Sequence, residues 1–209
     1  MKRLSSRGSR MSGSEVSTGV QTPDEALVSL AQRGDRGALE VLFLRYRSMA
    51  HGLAFRLLGN EQDAQDAVQD GFLKAFRNIR SFDGRSQFQT WLVKIVHNAA
   101  LDLGRRRKRR HTLSLVDGTQ QGQDIDPPCE DDPSKGMHQQ DLRRLLNAAL
   151  ERLSPSIRET FILFAETGLS YKEIAEVQEI PIGTVMSRLN HARNKLQKFL
   201  DLGGLDRSY

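Results

Sequence analysis

Cysteine occurs once in 209 residues, at Cys129, so no intramolecular disulfide can staple the fold, and a reducing compartment, the cytoplasm, is the expected setting. Aromatic side chains make up only 6% of the chain, which speaks against one large enzyme core. Long apolar runs are missing too. Nothing approaches the roughly 18 uninterrupted apolar residues of a membrane span, so no membrane insertion is expected. Residues 1–22 lack the apolar centre of a signal peptide and, rich in Ser and Gly, read as a disordered tail. There is no glycine-rich phosphate loop. The five histidines, His51, His97, His111, His138 and His191, have no ligand spacing with one another or with Cys129, so neither a metal nor a cofactor is expected. Cys129 sits in an acidic stretch with no cation beside it and reads as an inert thiol. No catalytic constellation remains, and the chain is expected not to be an enzyme.

What is present is positive charge and helical periodicity. A net charge of +5 and a pI near 9.6 point to an anionic partner, nucleic acid or a membrane surface. Apolar spacing is helical over residues 23–110 and again over 137–202. Between them, residues 111–136 turn acidic, with Gly, Gln and paired prolines, and read as a linker; residues 203–209 form a tail. No segment shows sustained strand alternation. The expected fold class is therefore all-α, in two small helical domains.

In the first domain Gly34 suits a helix end and Asp35 the N-cap of the next helix, which runs to Gly59. A third helix, "NEQDAQDAVQDGFLKAFRNIRSF", places Ala64, Ala67, Val68, Phe72, Phe76 and Ile79 on one stripe. Its acids precede its bases, as the helix dipole favours; read alone, the acids form a solvated face. A fourth helix buries Phe88, Trp91, Leu92, Ile95, Val96, Ala99 and Leu103, with Trp91 as a core anchor and Lys94, His97 and Asn98 off that face. It ends in six cations, Arg105, Arg106, Arg107, Lys108, Arg109 and Arg110, which repel one another unless solvated, screened or bound to a polyanion.

The second domain carries helix-starting signals at Ser154-Pro155 and at Ser170 with Glu173, the latter spaced as a capping box. "YKEIAEV", the turn "QEIP" and a long helix from about Ile182 stand in helix-turn-helix order, with small Ala175 where two helices cross. On the last helix Ile182, Val185, Leu189, Ala192 and Leu196 are expected in the core, and Thr184, Ser187, Arg188 and His191 away from it, where they can meet phosphates and base edges.

With both halves read, "DAQDAVQDGFLKAF", "FDGRSQFQTWLVKIVHNAALDLGRRRKRR", "LERLSPSIRETFIL" and "LSYKEIAEVQEIPIGTVMSRLNHAR" together resemble the extracytoplasmic-function class of bacterial sigma factors, over about Asp24 to Leu200. The resemblance implies that Asp66, Gln69 and Asp70 contact core RNA polymerase. It implies that the loop Phe82 to Phe88 and the fourth helix melt downstream promoter DNA, with Asn98 taking a flipped base while Lys94 and the six cations hold the strand. It implies that Gly183, Thr184, Ser187, Arg188 and His191 face the upstream promoter element, and that an anti-sigma factor is a further partner. Two positions depart from the family pattern. Glu179 replaces the more usual turn glycine, which predicts a slightly rearranged turn; Met186 and His191 stand where bases are common. Two other classes compete: an autonomous helix-turn-helix regulator, which leaves the acidic third helix without a role, and a peripheral membrane protein, which leaves the second domain without one.

Overall fold

The computed structural model describes residues 22–116 and 147–202, all of whose regular structure is helical. Four helices build the first unit: α1 (Asp24–Gln32), α2 (Arg36–Leu58), α3 (Glu61–Arg77) and, after a 3-10 turn at Ile79–Ser81, α4 (Phe88–Val116). The second contains α5 over residues 147–151, α6 (Pro155–Thr167), α7 (Tyr171–Gln178) and α8 (Ile182–Leu202). α4 continues through Val116, into the stretch expected as linker. The rest of the expected linker, with Cys129, and both expected tails up to residue 21 and from residue 203 lie outside the described residues.

Local chemistry sets the helix ends. Gly34 takes φ 96° between α1 and α2, and the Asp35 carboxylate accepts from the Ala38 amide at 3.2 Å. Gly59 closes α2 in the left-handed region at φ 77°, and Asn60 then caps α3 by accepting from the Asp63 amide at 2.8 Å. Ser154 stands at the N-cap of α6 with Pro155 behind it, as expected, but its side chain makes no capping bond. The capping box of α7 is complete: Ser170 Oγ accepts from the Glu173 amide at 3.3 Å and Glu173 accepts from the Ser170 amide at 2.9 Å.

The centre of the first unit is the crossing of α3 and α4. A Cβ on Gly71 would lie 2.9 Å from Val96 Cγ2 and 3.2 Å from Val96 Cα, so the two backbones approach as closely as they do because Gly71 has no side chain. Around this point Phe72, Leu92, Val93, Val96 and Ala100 are buried. The loop before α4 is held from two sides. Gln32 Nε2 donates to the Ile79 and Phe82 carbonyls at 3.1 and 2.8 Å, and the Phe82 ring packs on Phe88 and Trp91 with centroids 5.9 and 5.2 Å apart. Trp91 is the anchor its spacing predicts.

Two expectations fail for a tertiary reason. His97, placed off the core face of α4, is 2% exposed, because the second unit covers that side of the helix. Ile182, placed on the core face of α8, is 48% exposed, since it sits in the first turn beyond the end of α7. One apolar cluster runs through both units, joining Leu92 and Val96 to Leu163, Leu169, Ile174 and Val177.

A bulky side chain at the α3–α4 crossing must push the helices apart. Gly71→Leu is expected to lower unfolding free energy by about 1–3 kcal/mol net of the roughly 1 kcal/mol that leaving glycine contributes to helix propensity. Urea denaturation followed by helicity measures it.

Candidate nucleic-acid interface

The first half of α4 presents Thr90, Lys94 and His97 on one side, at spacings of four and three that align them along the helix, with Gln89 at the edge of that row. In this structure each meets a group of the second unit. Gln89 Nε2 donates to the Thr167 carbonyl at 2.6 Å, and Thr90 Oγ1 to Glu173 at 2.8 Å. Lys94 Nζ lies 2.7 Å from Glu179, and His97 Nε2 lies 2.9 Å from Glu159. On α2, Arg56 Nε reaches Glu166 at 3.1 Å. Four carboxylates of one unit thus face donors of the other.

Their electrostatics follow from this pairing. Burial pushes the Glu159 carboxyl up, but hydrogen bonds from His97 and Gln178 and the charges of His97 and Arg188 outweigh it, leaving it below the ordinary carboxylate value. Glu173 ends lowered as well: burial raises it, and bonds from Ser170 and Thr90 overcome that. Glu179 is lowered by its hydrogen bond and charge pairing with Lys94. A lowered carboxyl stabilises the packed form above the ordinary carboxylate range and ceases to do so as pH falls through the lowered value, so near neutral pH these three carboxylates are ionised.

The sequence accepts local costs at this interface. Gly52 sits inside α2, where glycine costs about 1 kcal/mol relative to alanine; a Cβ there would lie 2.8 Å from Glu166 Oε2. Glu179 has φ 55°, the one positive φ among described residues other than glycine, at a cost of about 1–2 kcal/mol. The turn expected to rearrange thus keeps a left-handed residue without glycine, and the carboxylate so placed reaches Lys94. His97 Nδ1 is buried with no hydrogen-bond partner.

The other predicted residues divide clearly. Asn98 is exposed on α4, roughly 15 Å along the helix from Phe88. Arg105, Arg106, Arg107, Lys108, Arg109 and Arg110 are all exposed; Arg105 pairs with Asp102 at 3.4 Å, and Arg107 reaches Asp63 on α3 at 2.9 Å. On α8, Gly183, Ser187 and His191 lie on the open face. Thr184 is half-buried, and Arg188 turns toward α6, donating to Thr160 Oγ1 at 3.3 Å. Asn190 also stands exposed on this open face, three residues beyond Ser187 and beside Met186, itself 49% exposed.

Asp66, Gln69 and Asp70 are exposed together on α3, and Asp70 pairs with Lys74 at 2.7 Å. Beside them an apolar groove of about 780 Å³ opens between α2 and α3, lined by Phe43, Val68, Phe72, Leu73 and Phe76 and reached by Gln69. The periodicity assigned Val68, Phe72 and Phe76 to the core stripe; Leu73 is 46% exposed and Phe76 only partly covered.

A helix-turn-helix with an open polar face, joined to a helix that ends in six cations, defines a DNA-binding protein of transcription. Relatives narrow the class. The chain matches the family description Sigma-70 region 2 over residues 42–110 and Sigma-70, region 4 over residues 143–196. It is 34% identical to the RNA polymerase sigma-H factor of Pseudomonas aeruginosa, covering 87% of this chain and 95% of that one. It is also 34% identical to the ECF RNA polymerase sigma-E factor of Escherichia coli K12, covering 86% and 97%. Among solved structures, CnrH in complex with the cytosolic domain of CnrY superposes with a TM-score of 0.64 at 26% identity, covering 86% of this chain and 97% of that one. The sigma factor RpoE in complex with the anti-sigma factor NepR from Bartonella quintana superposes at 0.62 with 30% identity, covering 80% and 98%. The chain belongs to the extracytoplasmic-function class of RNA polymerase sigma factors. It directs promoter-specific initiation by RNA polymerase, and the autonomous regulator is not favoured. Among the described residues no helix is long and apolar enough to cross a membrane, and no group of three His, Cys, Asp or Glu could hold a metal.

Proposed function

We propose a division of labour in which three surfaces take three partners. The face of α3 with Asp66, Gln69 and Asp70, together with the apolar groove, receives core RNA polymerase. The observation that carries this assignment is the groove itself: an exposed apolar cleft rimmed by polar side chains is an interaction site that a solvated acidic face does not require. The second half of α4, Asn98 and Arg105 through Arg110, holds melted downstream DNA; the amide offers a donor and an acceptor to one base edge while the cations neutralise backbone. The open face of α8 reads the upstream element in duplex form. Its setting is the cytoplasm, where polymerase transcribes. An anti-sigma factor is a further partner, a reading supported by the solved relatives bound to CnrY and to NepR.

On α8 we assign base reading to Asn190 rather than to Arg188. Arg188 is drawn toward Thr160, whereas Asn190 is exposed and can pair bidentately with an adenine edge, with Met186 next to it to pack on a thymine methyl. Ser187 and Gly183 then position the helix on phosphate.

Three outcomes follow. Asp66→Arg with Asp70→Arg is expected to weaken association with core polymerase while helicity stays unchanged; a pull-down with core enzyme at unchanged affinity contradicts the α3 assignment. Asn98→Ala is expected to leave core binding intact and to reduce permanganate reactivity of promoter thymines. Asn190→Ala is expected to relax preference at one upstream position at a cost of about 1–3 kcal/mol, scored by initiation on a library randomised across the upstream element. Under this reading Arg188→Ala lowers output evenly across that library, and a shift of preference in Arg188→Ala alone reverses the assignment.

A further inference from the structure

Gln32, the last residue of α1, belongs to none of the three surfaces assigned to partners, yet it holds the root of the loop that precedes α4. Both groups it meets are carbonyls, those of Ile79 at 3.1 Å and Phe82 at 2.8 Å, so the amide presents its nitrogen to them and commits its N–H donors there. The Ile79 carbonyl also accepts from the Phe82 amide at 3.2 Å, closing the 3-10 turn. The backbone of Phe82 is thus held from α1 while its ring is held by Phe88 and Trp91. Beyond this root the loop is open: residues 83–85 and 87 are exposed, and the tip carries its own turn, with Gly84 at φ 74° and the Asp83 carboxylate accepting from the Arg85 amide at 3.1 Å. α1 is fixed at its other end as well. Asp24 accepts from Arg45 and Tyr46 of α2, and the Tyr46 ring tilts against Phe88 with centroids 5.7 Å apart.

We infer that Gln32 is a positioning residue for promoter melting: its paired N–H donors keep the loop Phe82 to Phe88 in the shape that receives an unstacked base. The inference rests on the reading that this loop and α4 meet the melted downstream strand. Unstacking a base consumes much of what a few contacts can return, and ordering a mobile loop at the same moment would consume more. A loop already in shape leaves that energy for capture. Removing the Gln32 donors leaves the Phe82 carbonyl without this partner and the seat of the loop resting on ring contacts alone. Gln32 reaches no DNA in this scheme; it acts through Phe82.

The first test uses the full chain without polymerase or DNA, so its failure is distinct from failure of the promoter reading. Trp91 is the only tryptophan in the chain and packs on Phe82, so its fluorescence reports the seat of the loop. Gln32→Met keeps an unbranched side chain of similar length and has no donor. It is expected to increase acrylamide quenching of Trp91 while helicity and affinity for core polymerase stay unchanged; unchanged quenching overturns the inference. Gln32→Glu, which keeps the volume and sets a carboxylate against the two carbonyls, is expected to increase quenching further and serves if the methionine variant folds poorly. The second test measures binding of holoenzyme, at saturating core, to a promoter with its downstream element pre-melted, intact or abasic at one position at a time. The positions where wild type loses affinity are those of captured bases. Gln32→Met is expected to bind the intact template about tenfold more weakly, if the seated loop is then populated only about one tenth of the time. On the template abasic at the position the loop serves, it is expected to match wild type. An equal loss on intact and abasic templates shows a merely structural role and overturns the inference, as does a wild-type response at every position. If wild type itself responds to no abasic position, the base-capture reading falls and takes this inference with it.

Discussion

The close passage of α3 over α4 at Gly71 and Val96 is the constraint on which the rest depends. It fixes α4 as a rigid post in the first unit, with Phe82, Phe88 and Trp91 bracing its start. Everything functional is referred to that post. The loop before it is anchored by Gln32, and the cations after it project past the packed region. The helix-turn-helix unit leans on its remaining side. A helix packed on both flanks is held rigid, because a close-packed interior resists deformation.

Much of this was legible in the sequence because it is local. Asp35, the Ser170–Glu173 capping box and the glycine ends at Gly34 and Gly59 are settled within a few residues of chain, and the structure bears them out. The stripe Phe88, Leu92, Val96 and Ala99 was equally plain, since a buried helix face repeats at its own period. The failures share one cause. His97 and Ile182 were judged by their angle to a single core face, and each is decided by a neighbour from elsewhere: Glu159 on α6 and the early end of α7. The α2–α3 groove was hidden for the converse reason. Phe72 and Phe76 have core spacing, and only the assembled helices show that the stripe runs beyond what covers it.

Glu179 joins these threads. As a departure from the turn glycine of the family it promised a disturbed helix-turn-helix; instead the backbone holds the left-handed geometry and the added side chain acquires a partner across the interface. A residue that is unfavourable for its own turn is understandable when its benefit lies in the other unit.

The central claim, that the second unit sets its carboxylates against the donors on the first half of α4, is tested most directly by zero-length carbodiimide coupling, which joins an amine to a carboxylate only where they touch. In the chain alone, mass spectrometry is predicted to find Lys94 joined to Glu179. Its absence would contradict the account.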